Sequence, residues 1–535
     1  MGEDSRDAGT AVPWWQGAVI YQIYPRSFQD SNGDGVGDLA GIIRRLSYVA
    51  ALGVDAVWLS PVFRSPMADF GYDVSDHCAI DPLFGTLAEM DALLARAHAL
   101  GLRVLLDLVL PHTSDRHPWF AESRQSRTGP KADWYLWGDP KPDGTPPNNW
   151  QSVFAGPAWT WDAQRQQYYF HHFLPQQPQL NLHQAEVQEA QLAVARFWCA
   201  RGVDGFRLDA INFAMGDPGL ADNPPAPPGR PRTRPADYQL WRHNQAHPDI
   251  PAFLGRLRAL CDDAGAGFLM GEVAGPDPRA ALRAYTAGGR PLSSAYGFAF
   301  LHAPQLTPLT VAEALADWPS GDGSGWPSWA FSNHDAPRWV SRWAPEGPAR
   351  APFSRLVMAL FLALRGNPIL YQGEELGLTQ VSVPFDRLRD PEAIANWPLS
   401  LGRDGARTPM PWEAAAPGLG FSAAEPWLPC GSDHAALAVD RQEADAASLL
   451  HLTRRLVAFR RGEPALRLGA LGDIRAEGDL LSFVRTGPGA DRLLCRFNFA
   501  PCLLAAGAAA PLAFGVNGAD GSGWLPAFGA EICRL

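Results

Sequence analysis

The sequence predicts an α/β protein: a (β/α)8 TIM barrel with a subdomain inserted after strand 3 and a C-terminal antiparallel β-domain. Short, nearly continuous apolar segments alternate with amphipathic ones, which is typical of buried parallel strands joined by helices. The connection after the third segment is too long for one helix, and near the C-terminus short alternating segments replace the helical pattern. A chain of 535 residues also exceeds what one hydrophobic core usually supports.

Eight apolar segments are predicted as the barrel strands. They span residues 18–24, 56–62, 103–110, 202–210, 267–273, 294–300, 328–335 and 367–373. Helices are predicted between them, for example over residues 38–53 and 86–101. In the second, Thr86 and Glu89 have the spacing of a capping box, and Gly101 ends the helix.

The segmentation assigns residues 1–110 and 181–460 to the barrel, 111–180 to the inserted subdomain and 461–535 to the C-terminal β-domain. The inserted segment is rich in aromatic residues, proline and glycine. A second long connection, residues 216–235, is rich in proline. It is predicted either to form a stiff roof over a pocket at the barrel mouth or to be a disordered surface insertion.

Composition narrows the class of protein and its partners. The net charge is −11 and no cluster of basic residues occurs, which argues against nucleic acid and acidic membranes as partners. Seven scattered cysteines without a CxxC pair predict free thiols in a reducing compartment. The first ten residues do not resemble a secretory signal, and no apolar run is long enough to span a bilayer. We therefore predict a cytoplasmic protein, and the sequence leaves its oligomeric state open.

Ionisable residues follow the predicted strands at the end of the barrel where active sites lie. Asp107 and His112 come from the third strand, and the others are Arg207, Asp209, Glu272, His334 and Asp335. A structural ion pair explains any one of them. It explains the whole cluster poorly, because neighbouring like charges repel and raise each other's pKa.

Several motifs occur in the order found in one family of carbohydrate enzymes. DLVLPH (107–112), GFRLDA (205–210), GEV (271–273) and FSNHD (331–335) resemble signature regions of the α-amylase family, family 13 of the glycoside hydrolases. YQIYPRSF (21–28), GYDVSD (71–76), YQGEEL (371–376) and RTPMPW (407–412) are similar to its bacterial α-glucosidase and oligo-1,6-glucosidase branch. The resemblance covers about the whole chain, and the ordered set is far more specific than any single string.

The resemblance implies a role for each of these residues. Asp209 is expected to be the nucleophile, Glu272 the general acid and base, and Asp335 a stabiliser of the transition state. Arg207 is expected to keep Asp209 ionised, and Glu272 to have a pKa raised by its carboxylate neighbours. His112 and His334 are expected to bind glucose hydroxyls, and Tyr72 to stack on the sugar ring. No cofactor is expected for the chemistry.

Two further residues are expected to shape the pocket. In the similar enzymes, an acid before Gly-Tyr-Asp and the arginine that opens RTPM close off the non-reducing end of the sugar. Here these are Asp69 and Arg407, with a surface ion pair as the alternative. The resulting prediction is an exo-acting α-glucosidase. In the similar enzymes, a small residue after the nucleophile goes with a preference for α-1,4 linkages and valine with α-1,6. Ala210 at this position therefore implies α-1,4 linkages in short substrates such as maltose.

Two other functions remain open at this stage. One is an α-glucosyltransferase or a sucrose or trehalose isomerase on the same scaffold, because all of these share a glucosyl-enzyme. The other is a non-catalytic sugar-binding relative. The retained carboxylates Asp209, Glu272 and Asp335 argue against it.

A separate oxygen-rich loop follows the first predicted strand. Its potential ligands alternate along the chain: Asp30, Asn32, Asp34, the backbone carbonyl of Val36, and Asp38. Hard oxygen ligands at every second position indicate Ca²⁺ or Mg²⁺. The resemblance likewise implies one structural divalent cation here. The alternative is a polar turn without metal.

Overall fold

The computed structural model describes residues 12–228, 232, 234–275, 277–316, 318, 325–400 and 402–535. The prediction about the first ten residues falls outside these ranges, as does part of the proline-rich stretch 216–235. No helix within the described ranges is long and apolar enough to cross a membrane.

The central sheet consists of the eight parallel strands that the sequence predicts. These are β1 (Ile20–Ile23), β2 (Ala56–Leu59), β3 (Arg103–Leu108), β4 (Gly205–Leu208), β5 (Phe268–Glu272), β6 (Ser294–Tyr296), β7 (Ser328–Trp329) and β8 (Asn367–Tyr371). They are ordered β6-β5-β4-β3-β2-β1-β8-β7. A parallel bridge between Ala295 and Pro327 brings β6 next to β7 and closes the ring. The predicted barrel is therefore confirmed.

One main helix follows each strand, as a (β/α)8 barrel requires. These are α1 (Leu39–Ala51), α2 (Leu87–Ala99), α3 (Ala185–Ala200), α4 (Ile250–Asp263), α5 (Pro278–Thr286), α6 (Pro308–Ala316), α7 (Arg350–Ala363) and α8 (Leu449–Gly462). Shorter helices span Pro118–Ser123, Trp339–Trp343, Pro391–Asn396, Val439–Ala444 and Pro464–Arg467. The capping box predicted for α2 is confirmed: Glu89 N–H donates to Thr86 Oγ1 at 3.2 Å, and Thr86 N–H donates to Glu89 Oε2 at 2.8 Å.

Most strands end earlier than the apolar pattern predicts. β4 ends at Leu208, and β7 spans only two residues of the predicted 328–335. The residues after β7 are buried although they lie outside the sheet. Loops that line a pocket are apolar and buried like strands, so the pattern does not reveal where the sheet ends and the loop begins.

Two smaller antiparallel sheets flank the barrel. Between β3 and α3, the strands Trp137–Gly138, Gln167–Phe170 and Trp159–Asp162 pair in that order, and Trp150 packs against this sheet. A two-stranded pair, Phe63–Arg64 with Asp76–Ile80, follows β2.

The C-terminal sheet contains β9 (Ala470–Glu477), β10 (Leu480–Thr486), β11 (Arg492–Asn498), β12 (Leu512–Val516) and β13 (Ala530–Arg534), ordered β9-β10-β11-β13-β12. A two-stranded pair, Leu504–Ala505 with Trp524–Leu525, accompanies it. The predicted C-terminal antiparallel sheet is thus confirmed. The buried Arg485 joins it to the barrel by donating to the carbonyl oxygen of Ala363 at 2.6 Å.

The domain boundaries derived from the sequence remain predictions. All seven cysteines are free, in agreement with the sequence-based expectation.

Candidate active site

A pocket opens where β3, β4 and β5 end and their loops begin. Six of the nine predicted catalytic and sugar-binding residues line it: Asp69, Tyr72, His112, Asp209, Glu272 and Asp335. The other three, Arg207, His334 and Arg407, are fully buried behind the pocket wall. They act on the pocket through the side chains in front of them.

Arg207, on β4, holds three carboxylates around a single guanidinium group. Its Nη1 lies 2.6 Å from Asp209 Oδ1 and 2.7 Å from Asp107 Oδ1, and its Nη2 lies 2.7 Å from Glu272 Oε2. The planar fork of arginine places neighbouring acceptors side by side. Asp209 and Glu272 are therefore held close together at the pocket wall.

Tyr296, at the end of β6, joins the same network. Its hydroxyl accepts from Arg207 Nε at 3.1 Å and donates to Glu272 Oε1 at 3.3 Å. The sequence analysis did not identify this residue. The tyrosine lies within a predicted strand, and only the three-dimensional structure reveals that its hydroxyl faces Arg207.

The backbone turns sharply directly after Asp209. Ala210 has φ 42° and ψ 40°, in the left-handed region that L-residues with a side chain rarely adopt. In this conformation, the backbone N–H of Ala210 donates to Glu272 Oε2 at 3.1 Å. A strained residue thus couples the backbone beside Asp209 to the second carboxylate.

The pKa values of Asp209 and Glu272 are both shifted towards neutrality. Burial raises the pKa of Glu272 to about 7, with Arg207 opposing the shift and the charges of Asp209 and Asp335 adding to it. Burial likewise raises the pKa of Asp209 to about 7, again against the effect of Arg207. Two carboxyls that share one guanidinium titrate as a pair, so near pH 7 the pair retains about one proton. The carboxylate neighbours contribute as the sequence analysis expected, but burial has the larger effect.

Asp335 is kept ionised. Burial alone would raise the pKa of Asp335, but the close contact with His334 Nε2 at 3.1 Å and the positive charges of Arg407 and Arg403 outweigh it and hold that pKa well below its usual range. Arg407 Nη2 lies 2.7 Å from Asp335 Oδ1. The pocket therefore combines a permanently charged carboxylate with a pair that shares a proton.

Tyr72 and His112 complete the floor of the pocket, and His334 lies buried behind Tyr72. Burial lowers the pKa of His112 and that of His334 to about 3, so both imidazoles are neutral at physiological pH. Tyr72 donates its hydroxyl to Asp107 Oδ2 at 3.0 Å, and its ring stacks on His334 with centroids 5.5 Å apart. Neutral rings fit the binding of uncharged hydroxyl groups.

The predicted pairing of Asp69 with Arg407 is wrong. Arg403 Nη2 lies 2.8 Å from Asp69 Oδ1, whereas Arg407 binds Asp335 and donates from Nε to the His334 carbonyl oxygen at 2.7 Å. The reason is a short 3-10 turn over Asp404–Ala406, which separates the two arginines. Arg403 lines the pocket, and Arg407 is buried beneath it.

Arg403 was therefore missed as a pocket residue. It also contacts Asp390 Oδ1 through Nη2 at 2.7 Å, and its guanidinium lies 4.8 Å from the ring centre of Phe154. The sequence offered one indication, an arginine four residues before the one in RTPM. Sequence spacing alone could not decide between them.

Five aromatic side chains form an aromatic wall of the pocket. They come from three separate connections, after β3, β4 and β6, and they are Phe154, Phe173, Phe213, Trp241 and Phe298. At its rim, Arg234 from the end of the proline-rich stretch lies 3.2 Å from Glu392 Oε1 on the helix Pro391–Asn396. Both residues line the pocket, so the stretch contributes to its wall.

The oxygen-rich loop after β1 folds into successive turns. Asp30 Oδ1 accepts from Gly33 N at 2.8 Å, Asn32 Oδ1 from Asp34 N at 2.9 Å, and Asp34 Oδ1 from Val36 N at 2.8 Å. Asp38 caps α1 by accepting from Gly41 N at 2.7 Å. The donor set is entirely hard oxygen, so it fits Ca²⁺ or Mg²⁺ rather than a thiolate- or imidazole-preferring metal.

Comparison with known proteins agrees with this geometry. Residues 22–469 match the alpha amylase catalytic domain family. A probable alpha-glucosidase of Rhizobium meliloti is 53% identical, over 91% of this chain and 89% of its own. An oligo-1,6-glucosidase of Parageobacillus thermoglucosidasius is 35% identical, over 91% and 90%.

The fold is also that of a solved enzyme. The crystal structure of an alpha-glucosyl transfer enzyme, XgtA, superposes with a TM-score of 0.91 at 48% sequence identity, covering 98% of this chain and all of its own. The similarity therefore extends over the barrel and both flanking sheets.

Proposed function

The chain belongs to the α-amylase family and is a glycoside hydrolase of the α-glucosidase type, and from this premise we propose that it is a retaining, exo-acting enzyme. Its substrate is the terminal α-linked glucose, by preference α-1,4-linked, of short molecules such as maltose. The observation that carries this proposal is the single Arg207 guanidinium that binds both Asp209 and Glu272. A retaining glycosidase needs two carboxyls roughly 5 Å apart, one ionised and one protonated.

In the first step, ionised Asp209 attacks the anomeric carbon and Glu272 transfers its proton to the departing glycosidic oxygen. Glu272 Oε2 is close to both Ala210 N and Arg207, at 3.1 and 2.7 Å, whereas Oε1 has only the longer contact of 3.3 Å with Tyr296, so we assign the proton to Oε1. The bond from the anomeric carbon to the leaving sugar breaks as the bond to Asp209 forms. Asp335, held ionised by Arg407, stabilises the positive charge that develops on the sugar ring.

In the second step, water releases the glucose. Esterified Asp209 no longer carries a charge, so the pKa of Glu272 falls and its carboxylate becomes a competent base. Glu272 takes a proton from water as the oxygen attacks the anomeric carbon, and Asp209 leaves as a carboxylate. Two inversions at the same carbon give glucose with the α configuration.

Exo-action rests on Asp69 and Arg403. Their ion pair lines the pocket, with Arg403 beside Phe154, and there it binds the hydroxyls of the non-reducing glucose and blocks a further sugar. Asp390 holds Arg403 from behind. We therefore assign to Asp69 and Arg403 the role that the sequence predicted for Asp69 and Arg407, which is to close off the non-reducing end of the sugar.

Transfer of glucose to an acceptor is the second candidate function. The aromatic wall favours it because apolar side chains bind an acceptor ring and exclude water from the glucosyl ester. Similarity to an alpha-glucosyl transfer enzyme points the same way. A non-catalytic sugar-binding role is disfavoured because Asp209, Glu272 and Asp335 all keep the shifted pKa values of a working site.

One structural divalent cation is proposed at the loop after β1. Asp30, Asn32, Asp34, Asp38 and the carbonyl of Val36 would hold Ca²⁺ or Mg²⁺ there, and its contribution is to stability. It takes no part in the chemistry. A cytoplasmic location also remains a prediction.

The test is a comparison of initial rates on maltose, isomaltose, sucrose and soluble starch, with product analysis by ion chromatography and Asp209→Asn as control. The proposal expects glucose from maltose, slower release from isomaltose and little from starch. Equal rates on starch and maltose would refute exo-action on short substrates. Isomerised sucrose without free fructose would favour the transferase, and no product from any substrate would favour the non-catalytic reading.

A further inference from the structure

Three metal-binding side chains meet outside the active site, where two barrel helices begin. His183 precedes α3, and His247 and Asp249 precede α4. One potential ligand atom from each lies within 4.8 Å of the others. His183 Nδ1 is 3.9 Å, and His247 Nδ1 is 3.6 Å, from Asp249 Oδ2. None of the three lines the active-site pocket.

The hydrogen bond of His183 leaves its other ring nitrogen available. Nε2 lies 2.9 Å from the carbonyl oxygen of Gly216 and therefore carries the proton. Nδ1, on the other side of the ring, faces the cluster, 3.9 Å from Asp249 Oδ2. Metal-binding histidines typically donate their second ring nitrogen to a carbonyl or carboxylate in this way.

The Asp249 side chain does not cap the helix that begins next to it. It is the N-cap residue of α4, where an aspartate normally accepts from the first free backbone N–H groups of the helix. Here the carboxylate makes no capping hydrogen bond. It lies near both imidazoles instead, and with 66% of its side chain exposed it is free to rotate.

His247 presents its Nδ1 to Asp249, 3.6 Å from Oδ2. Its Nδ1 accepts from the Asp249 backbone N–H at 3.3 Å, a long hydrogen bond that a cation readily replaces. The rings of His183 and His247 meet edge-on, with centroids 4.8 Å apart.

We propose that His183, His247 and Asp249 form a binding site for Zn²⁺ or a similar transition-metal dication, with water completing its coordination. In a tetrahedral zinc site with bonds of about 2.0–2.1 Å, ligand atoms lie roughly 3.4 Å apart. The separations of 3.6 and 3.9 Å from Asp249 Oδ2 are close to this value, and the two imidazole ligand atoms lie within 4.8 Å of each other, so side-chain rotations of Asp249 and the histidines would complete the site. Two imidazoles and one carboxylate favour zinc over Ca²⁺ or Mg²⁺.

The site also lies beside the connection from β4 to α4, which contains the proline-rich stretch. Gly216, which accepts from His183, is the first residue of that stretch, and His247 lies beyond its end, just before α4. Between them, Trp241 lines the active-site pocket. Bound zinc would cross-link both ends of the connection to the start of α3. Its effect is to stabilise one wall of the pocket without entering the chemistry.

The test measures metal binding directly and does not depend on glucosidase activity. Chelator-treated, dialysed protein is titrated with ZnCl2 by isothermal calorimetry, with CaCl2 present throughout to saturate the oxygen-rich loop. Asp249→Asn removes an exposed ligand, and His183→Gln keeps a donor for Gly216. His451→Gln is the matched control, because His451 Nε2 lies 3.9 Å from Glu443 Oε2 without a second histidine. Cobalt titrations of the same proteins report coordination through the visible ligand-field spectrum.

The expected result is one zinc ion per wild-type chain and per His451→Gln chain. Affinity should fall about tenfold or more in Asp249→Asn and in His183→Gln. Cobalt should give a tetrahedral spectrum in the wild type and lose it in both variants. Unchanged zinc affinity in both variants would assign the metal to the free thiols and overturn the proposal. Absence of heat together with the spectrum of aqueous cobalt would overturn it as well.

Discussion

The substitution Arg403→Lys tests whether Arg403 or Arg407 is the functional partner of Asp69. Arg403 contacts Asp69 at 2.8 Å and Asp390 at 2.7 Å through the same Nη2, and Asp335 at 3.5 Å through Nη1. Lysine keeps the charge but offers one compact ammonium group instead of a planar fork. The ammonium group can contact Asp390 or Asp69, but it cannot keep both contacts at their present distances.

The magnitude follows from the contact that is lost. A hydrogen bond to a charged group contributes about 1.5–3 kcal/mol, which corresponds to a roughly 10- to 150-fold decrease in kcat/KM for maltose. The decrease should appear mainly in KM, because Arg403 holds the non-reducing end of the sugar. Arg407→Lys should act mainly on kcat, because Arg407 orients and charges Asp335.

A double-mutant cycle with Asp69→Asn supplies the decisive assay. Initial rates on maltose are measured for each single variant and for both pairs, with circular dichroism to verify folding. Contacting residues couple and distant ones add. Asp69→Asn should therefore be non-additive with Arg403→Lys and additive with Arg407→Lys. Coupling to Arg407 instead, or a change of less than twofold on replacing Arg403, would refute the assignment.

Three further predictions concern pH, backbone strain and the cation. The kcat/KM profile should peak near neutral pH, because burial raises the pKa of Asp209 and that of Glu272 to about 7: acid protonates the nucleophile, and base removes the proton of the acid. A flat profile across that range would contradict this. Ala210→Val should lower the free energy of unfolding in urea by at least about 1–2 kcal/mol, because a β-branched side chain is strained at φ 42°. Ala210→Gly should not lower it. Equal stability of the wild type and both variants would argue against backbone strain at this position. EDTA should lower the Tm and CaCl2 should restore it, and neither should change kcat at 25 °C. In Asp34→Asn, the Tm should no longer respond to either reagent. A wild-type Tm that neither reagent changes would contradict the proposed cation site.

The barrel could be predicted because its strands are buried on both faces. Parallel strands covered by helices must be apolar along their whole length, and such runs are visible in the sequence. The proposed catalytic carboxylates could be predicted for a related reason. Asp209, Glu272 and Asp335 interrupt or directly follow apolar runs, where a charged residue has no role in packing.

What sequence could not provide is the choice between neighbours of the same chemical type. Arg403 and Arg407 lie on either side of one short turn, and the direction of each side chain depends on that turn. Tyr296 looks like an ordinary strand residue until its hydroxyl is seen between Arg207 and Glu272.

Groupings across long distances in sequence were equally invisible. The residues of the aromatic wall come from three separate connections, and each aromatic residue alone is typical of core packing. His183 and His247 lie in two different loops, one before α3 and one before α4. They are too far apart in the sequence to form a recognisable metal-binding motif. Such clusters are set by how the connections fold over the barrel mouth, and no periodic pattern in the chain records this.

The central claim is double displacement through Asp209, and time-resolved proton NMR of maltose hydrolysis tests it most directly. With wild-type protein, the account predicts that glucose released from the non-reducing end appears first as the α-anomer. Asp209→Asn, which retains a hydrogen-bonding side chain at the same place, should give no signal change. Early appearance of the β-anomer, or undiminished turnover by Asp209→Asn, would show that Asp209 is not the nucleophile.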